Sequence, residues 1–100
     1  RGIIQVNRQL DLHGLSREEA LDALEPFISS ARSAAEKAVL IITGKGLHSV
    51  GEPVLQQAVA GWLRDQGRNM ITEYAPAPQE MGGGGAFVVF LRSLDKPPTD

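Results

Sequence analysis

Cysteine is absent from the 100 residues. That excludes a disulfide framework, a thiolate metal site and a thiolate nucleophile. Aromatic residues make up only 5%, with one Trp and one Tyr. That argues against a platform of several exposed aromatics stacking on bases. No uninterrupted apolar run approaches the ~18 residues of a membrane span, and no signal-peptide pattern opens the chain. The expectation is a soluble, cytoplasmic domain with no membrane partner. A strong charge of either sign is also missing: ten Lys and Arg against twelve Asp and Glu leave a formal net charge of −2. That balance argues against a broad electrostatic grip on nucleic acid. The chain opens on Arg1 rather than Met, and is expected to be part of a larger protein.

What is present suffices for one domain. Hydrophobic residues make up 42%, and a chain of this size buries about two thirds of its surface on folding. No repeat or internal linker divides it. Residues 1–9 read as an arm or edge strand, residues 10–92 as the domain and residues 93–100, with Pro97 and Pro98, as a tail.

Leu10-Asp11-Leu12 reads as a short strand with the two leucines on one face. Ser16 stands three residues before Glu19, the spacing of a capping box. Leu21, Leu24, Phe27, Ile28, Ala31 and Ala35 then follow at helical spacing. Pro26 should bend that helix without dividing it, because the stripe continues in phase. Residues 38–42 form an unbroken apolar run that suits a central strand. A second helix is expected to begin near Pro53, with Val54, Leu55, Ala58, Val59, Trp62 and Leu63 buried and Gly67 as its stop. Residues 70–75 and 86–91 read as the last two strands. The order β-α-β-α-β-β, at this length, predicts a two-layer α/β sandwich with a four-stranded mixed sheet and two helices.

Two segments stand out chemically. In Asp11-Leu12-His13-Gly14, strand alternation puts the carboxylate and the imidazole on one side, just before a helix start. A carboxylate there fixes the imidazole tautomer, and such a His serves as general acid or base near neutral pH. The alternative is a backbone cap at Asp11 and a solvated turn residue at His13. Thr43-Gly44-Lys45-Gly46 follows the central strand, at the edge where open α/β sheets place ligands. Its glycines permit close approach of N–H groups to an anion, and Lys45 adds a positive charge. The full P-loop pattern is missing, and an ordinary glycine-rich strand exit is the alternative. If the strands holding Asp11 and Ile42 are parallel neighbours, then Asp11, His13, Lys45 and His48 surround one anion, with Ser49 close by. A mixed Asp–His metal site there matches no recognised zinc spacing. Four consecutive glycines, residues 82–85, lie between the last two strands. They read as a pliant turn whose Gly83 and Gly84 would follow a nucleic-acid backbone if the loop contacts one.

Together these segments resemble the Smr (small MutS-related) domain family. The resemblance rests on Leu10-Asp11-Leu12-His13-Gly14, on Ile42-Thr43-Gly44-Lys45-Gly46-Leu47-His48-Ser49 and on the glycine-rich loop before an apolar last strand. It implies a fold similar to the C-terminal domain of translation initiation factor three. It also implies an endonuclease that nicks DNA or cleaves RNA, in some members on messenger RNA at stalled ribosomes. The family's Asp-x-His pair falls on Asp11 and His13, and its Gly-x-Gly loop on Gly44, Lys45 and Gly46. Thr43 stands where some members have a histidine, so a role for that histidine does not transfer. The expected catalytic residues are Asp11, His13 and Lys45. Gly14, Arg17, Thr43, Gly44, Gly46, His48, Ser49, Gly83 and Gly84 are expected to hold phosphate. A divalent cation, Mg2+ or Mn2+, would be held by Asp11 and His13. The expected partner is DNA or RNA, with the ribosome as a further one, and the isolated domain is expected to be a monomer. The competing readings are a nucleic-acid or ribosome binding module without catalysis, and a small-molecule hydrolase with an enclosing pocket.

Overall fold

Ser16 and Glu19 form the capping box that their spacing predicts. The Ser16 hydroxyl accepts from the Glu19 N–H at 3.1 Å, and the Glu19 carboxylate accepts from the Ser16 N–H at 3.0 Å. Two of the orphan donors at the helix start are thereby satisfied. The computed structural model describes residues 5–44, 54–78 and 85–94. In order these form β1 (Gln9–Asp11), α1 (Arg17–Ser33), β2 (Ala38–Ile42), α2 (Val54–Arg64), β3 (Ile71–Pro76) and β4 (Ala86–Leu91).

Helix α1 runs unbroken through Pro26. Ala20, Leu24, Ile28 and Ala31 are its buried face, with Leu21 and Phe27 partly buried beside them. Ala35, expected in this stripe, lies past the helix end with φ 63°. There the Glu36 N–H donates to the Ala31 carbonyl and the Ala35 N–H to the Arg32 carbonyl. This is the Schellman closure, with alanine at the left-handed position that glycine usually fills. In α2, Val59, Trp62 and Leu63 are buried. Val54, expected in that stripe, is the first residue of the helix and is 59% exposed. Gly67 is required by close packing: a Cβ there would stand 2.5 Å from the Trp62 ring. Pro53 lies outside the described residues.

The sheet order is β1-β2-β4-β3. β1 and β2 are parallel, and β4 runs antiparallel to both its neighbours. This is the expected mixed sheet, with β1 and β3 each displaced by one residue from the expected bounds. One face of the sheet packs on both helices through Leu12, Val39, Ile41, Val89 and Leu91. The other face carries Ala38, Leu40, Ala77, Ala86 and Val88, with Val6 packed against them. β2 is apolar on both faces because both are covered. Asp11 pairs in register with Ile42, so it stands on the side of the sheet away from the helices.

Candidate functional site

Parallel pairing of β1 and β2 brings the segment after Asp11 and the segment after Ile42 to one edge. The Leu12 N–H donates to the Ile42 carbonyl at 2.7 Å and continues the pairing. The chain then turns: the Leu15 N–H donates to the Leu12 carbonyl, with Gly14 at φ +85° in the third position. That sign of φ at that position is what a type II turn demands of glycine. A Cβ on Gly14 would meet nothing within 4 Å, so the requirement is conformational alone.

The turn holds His13 over Asp11. Asp11 Oδ1 accepts from the His13 backbone N–H at 3.1 Å and lies 2.7 Å from His13 Nδ1. A carboxylate can only accept from the ring, so Nδ1 carries the hydrogen and Nε2 is the basic nitrogen of the neutral form. The ring bond and then the backbone bond hold the Asp11 carboxyl below its ordinary value, against a small opposing effect of desolvation. The pair is open to solvent, with the side chains 68% and 47% exposed.

The second segment closes on this pair from the side. Gly44 has φ +88°, and a Cβ there would come within 3.1 Å of His13 Cβ. The bare glycine backbone is therefore the wall against which His13 rests. Thr43 is 5% exposed. Its hydroxyl is 3.3 Å from the Gly44 and Gly85 carbonyls, so it bonds to backbone inside the edge rather than facing outward to a phosphate. The Gly85 carbonyl also accepts from the N–H groups of Thr43 and Gly44, at 2.8 and 3.0 Å. The end of the glycine run is thus fastened to the strand exit beside His13. Gln56, in the first turn of α2, donates to the Gly44 carbonyl at 3.4 Å.

The expected residues therefore divide. Asp11, His13, Gly14, Thr43 and Gly44 come together at one edge. Arg17 instead lines a cleft of about 480 Å³ between the helices, with Gln57, Gly61 and Asp65. Lys45, Gly46, His48, Ser49, Gly83 and Gly84 lie outside the described residues. Sequence reasoning missed Gln56 and Gly85. No local signal marks a glutamine whose partner is twelve residues away, and nothing in four identical glycines distinguishes the one that docks.

Among the described residues no group of three His, Asp or Glu converges as a metal site. Asp11 and His13 are two adjacent donors. Neither Asp11 nor His13 lines the clefts of about 530, 330, 190 and 480 Å³ that described residues form elsewhere.

The Smr domain family model matches residues 10–92. The chain belongs to the Smr domain family. A protein of Treponema pallidum (strain Nichols), named only as uncharacterized, is 37% identical over 87 residues. A protein of Latilactobacillus sakei named Endonuclease MutS2 is 34% identical over 91 residues. The chain spans 42% and 11% of those relatives' lengths, and 86% and 91% of itself is matched. The crystal structure of the Smr domain of Thermus thermophilus MutS2 superposes with a TM-score of 0.75 at 31% identity. That match covers 86% of this chain and 99% of that one. YdaL, a stand-alone small MutS-related protein from Escherichia coli, gives 0.76 at 31% identity, covering 85% of this chain and 64% of YdaL. The four-stranded sheet with two helices is thus the Smr fold. No helix among the described residues of this Smr domain is long and apolar enough to cross a membrane.

Proposed function

We propose that this Smr domain is an endonuclease that cleaves nucleic-acid phosphodiesters at Asp11 and His13. The observation that carries the reading is the 2.7 Å contact between Asp11 Oδ1 and His13 Nδ1, in a turn walled by Gly44. Asp11 orients the ring, and Nε2 is left to move a proton at the reacting group.

On RNA, His13 Nε2 takes the proton of a 2′-hydroxyl. The 2′-oxygen attacks the adjacent phosphorus, and the 5′-oxygen leaves with a proton from solvent. On DNA there is no internal nucleophile, so water is activated instead. A divalent cation, Mg2+ or Mn2+, held by Asp11 or by His13, would then lower the pKa of that water. Lys45 and the Gly46 N–H are assigned to stabilise the phosphate charge; the Gly44 N–H, expected to join them, already donates to the Gly85 carbonyl. Thr43 and Gly85 act by positioning Gly44.

The test is incubation of wild type, Asp11→Ala and His13→Ala with supercoiled plasmid and with RNA, each with and without EDTA. The expected result is a loss of cleavage of about 100-fold or more in both variants, the usual scale of acid–base catalysis. Cleavage that persists unchanged in both would exclude this site. The second reading is nucleic-acid or ribosome binding without catalysis. It is favoured by the solvent exposure of the pair, since nothing described excludes water from it. Binding without cleavage under every metal condition would establish it.

A further inference from the structure

Seven of the ten Lys and Arg residues are among those described, and five of the seven gather at the end of the sheet opposite Asp11 and His13. Arg32 ends α1, Lys37 precedes β2, Arg64 ends α2, Arg68 lies in the turn before β3, and Arg92 follows β4. Arg92 joins two depressions. One, of about 330 Å³, is lined by Arg32, Lys37 and Arg92. The other, of about 190 Å³, is lined by Arg64, Arg68 and Arg92.

None of the five is neutralised by a carboxylate among the described residues. The ion pairs there are Arg8 with Glu36 and His13 with Asp11. Two of the arginines are held by backbone instead: Arg32 Nε donates to the Arg92 carbonyl at 2.9 Å, and Arg92 Nε to the Arg68 carbonyl at 3.3 Å. Donation through Nε fixes each guanidinium and leaves its Nη groups for an oxyanion. Two carboxylates border the depressions, Glu36 and Glu73, and Glu36 is already paired with Arg8. In a chain of net charge −2, five of the seven described cations thus stand at one end.

We propose that this basic end is a second phosphate-contact surface, gripping the backbone of the same nucleic acid that reaches Asp11 and His13. The proposal rests on the nuclease reading for what lies at the other end. From Lys37 to Thr43 the sheet rises six residues, about 20 Å at ~3.3 Å each. At 3.4 Å per base pair the two contacts are about six base pairs apart. Two fixed guanidiniums with three further cations around them, in shallow depressions, match phosphates that recur along a backbone.

The test is the salt dependence of binding to fluorescein-labelled 20-base-pair DNA and RNA duplexes. Wild type is compared with a Lys37→Gln/Arg64→Gln/Arg68→Gln variant. These three residues are exposed, and none of their side chains joins the ion pairs of the described residues; circular dichroism confirms folding. The slope of log K against log salt should fall by about 2 to 3 in the variant, near 0.9 for each phosphate that is no longer neutralised. Affinity in low salt should drop tenfold or more. An unchanged slope and affinity, or no binding of either duplex by wild type, overturns the proposal. Displacement of the duplex by polyglutamate at equal charge also overturns it, assigning the surface to an acidic protein. An Asp11→Ala/His13→Ala variant separates the two readings. Binding with the wild-type slope but without cleavage supports both. Duplex binding through the basic end by a wild type that never cleaves sinks the nuclease reading alone.

Discussion

At the scale of single residues, the site depends on one carboxylate oxygen with two donors. Asp11 Oδ1 accepts from the ring and from the backbone of His13, and both bonds favour the charged carboxylate. Its midpoint should therefore lie below the ordinary 3.8. Following the Asp11 carboxyl carbon by NMR across pH checks this directly. In His13→Ala the ring bond is gone and the backbone bond stays, so the midpoint should rise part of the way back. The sign for stability follows. A depressed folded-state value contributes stability that is present above the unfolded value and is lost as pH falls through the folded one. A midpoint at or above 3.8 in wild type would show that the pair does not form in solution. The Asp-x-His spacing made this contact legible in the sequence. The wall supplied by Gly44 was not, because a whole helix and a strand pairing separate Gly44 from His13.

At the scale of elements, α1 shows one rule obeyed and one broken. Its start uses the capping box its sequence announces. Its end closes as a Schellman motif, but with Ala35 at φ 63°, where a Cβ is strained. Ala35→Gly should stabilise the domain by about 1 kcal/mol, raising the urea midpoint without changing the slope. A loss of stability instead would mean that the extra freedom of glycine in the unfolded chain outweighs the strain. The same end explains the misplaced stripe: Ala35 is in phase with Ala31, but periodicity does not register where a backbone leaves the helix. The strands tell a similar story. Each was legible from its apolar run, whereas the insertion of β4 between β2 and β3 depends on pairing that no local window contains.

At the scale of the whole molecule, charge is separated rather than merely balanced. Glu18, Glu19, Asp22 and Glu25 are exposed along the first half of α1, at the end where His13 turns into the helix. The arginine cluster occupies the far end. The acidic half of α1 should repel a polyanion, which favours approach from the face of the sheet that bears Asp11. An Asp22→Asn/Glu25→Gln variant should accordingly bind a DNA duplex several-fold more tightly at about 50 mM salt. The gain should vanish near ~0.5 M, where screening shortens the range of the charges to a few Å. Fluorescence anisotropy at the two salt concentrations measures it. Equal affinities at low salt would place the nucleic acid beyond reach of this helix.

The sequence alone determined the elements, the two-layer architecture and the Asp11–His13 pair, because each follows from short-range periodicity, capping or spacing. Only the tertiary structure decided what surrounds the pair. Parallel pairing of β1 with β2 set Gly44 against His13, and β4 brought the Gly85 carbonyl to Thr43. The helix ends and the β4 exit gathered Arg32, Lys37, Arg64, Arg68 and Arg92 into one surface. These contacts join residues far apart in the chain, and a linear pattern carries no record of which strand edges meet. Net charge is likewise a sum, and only the fold says where its parts stand.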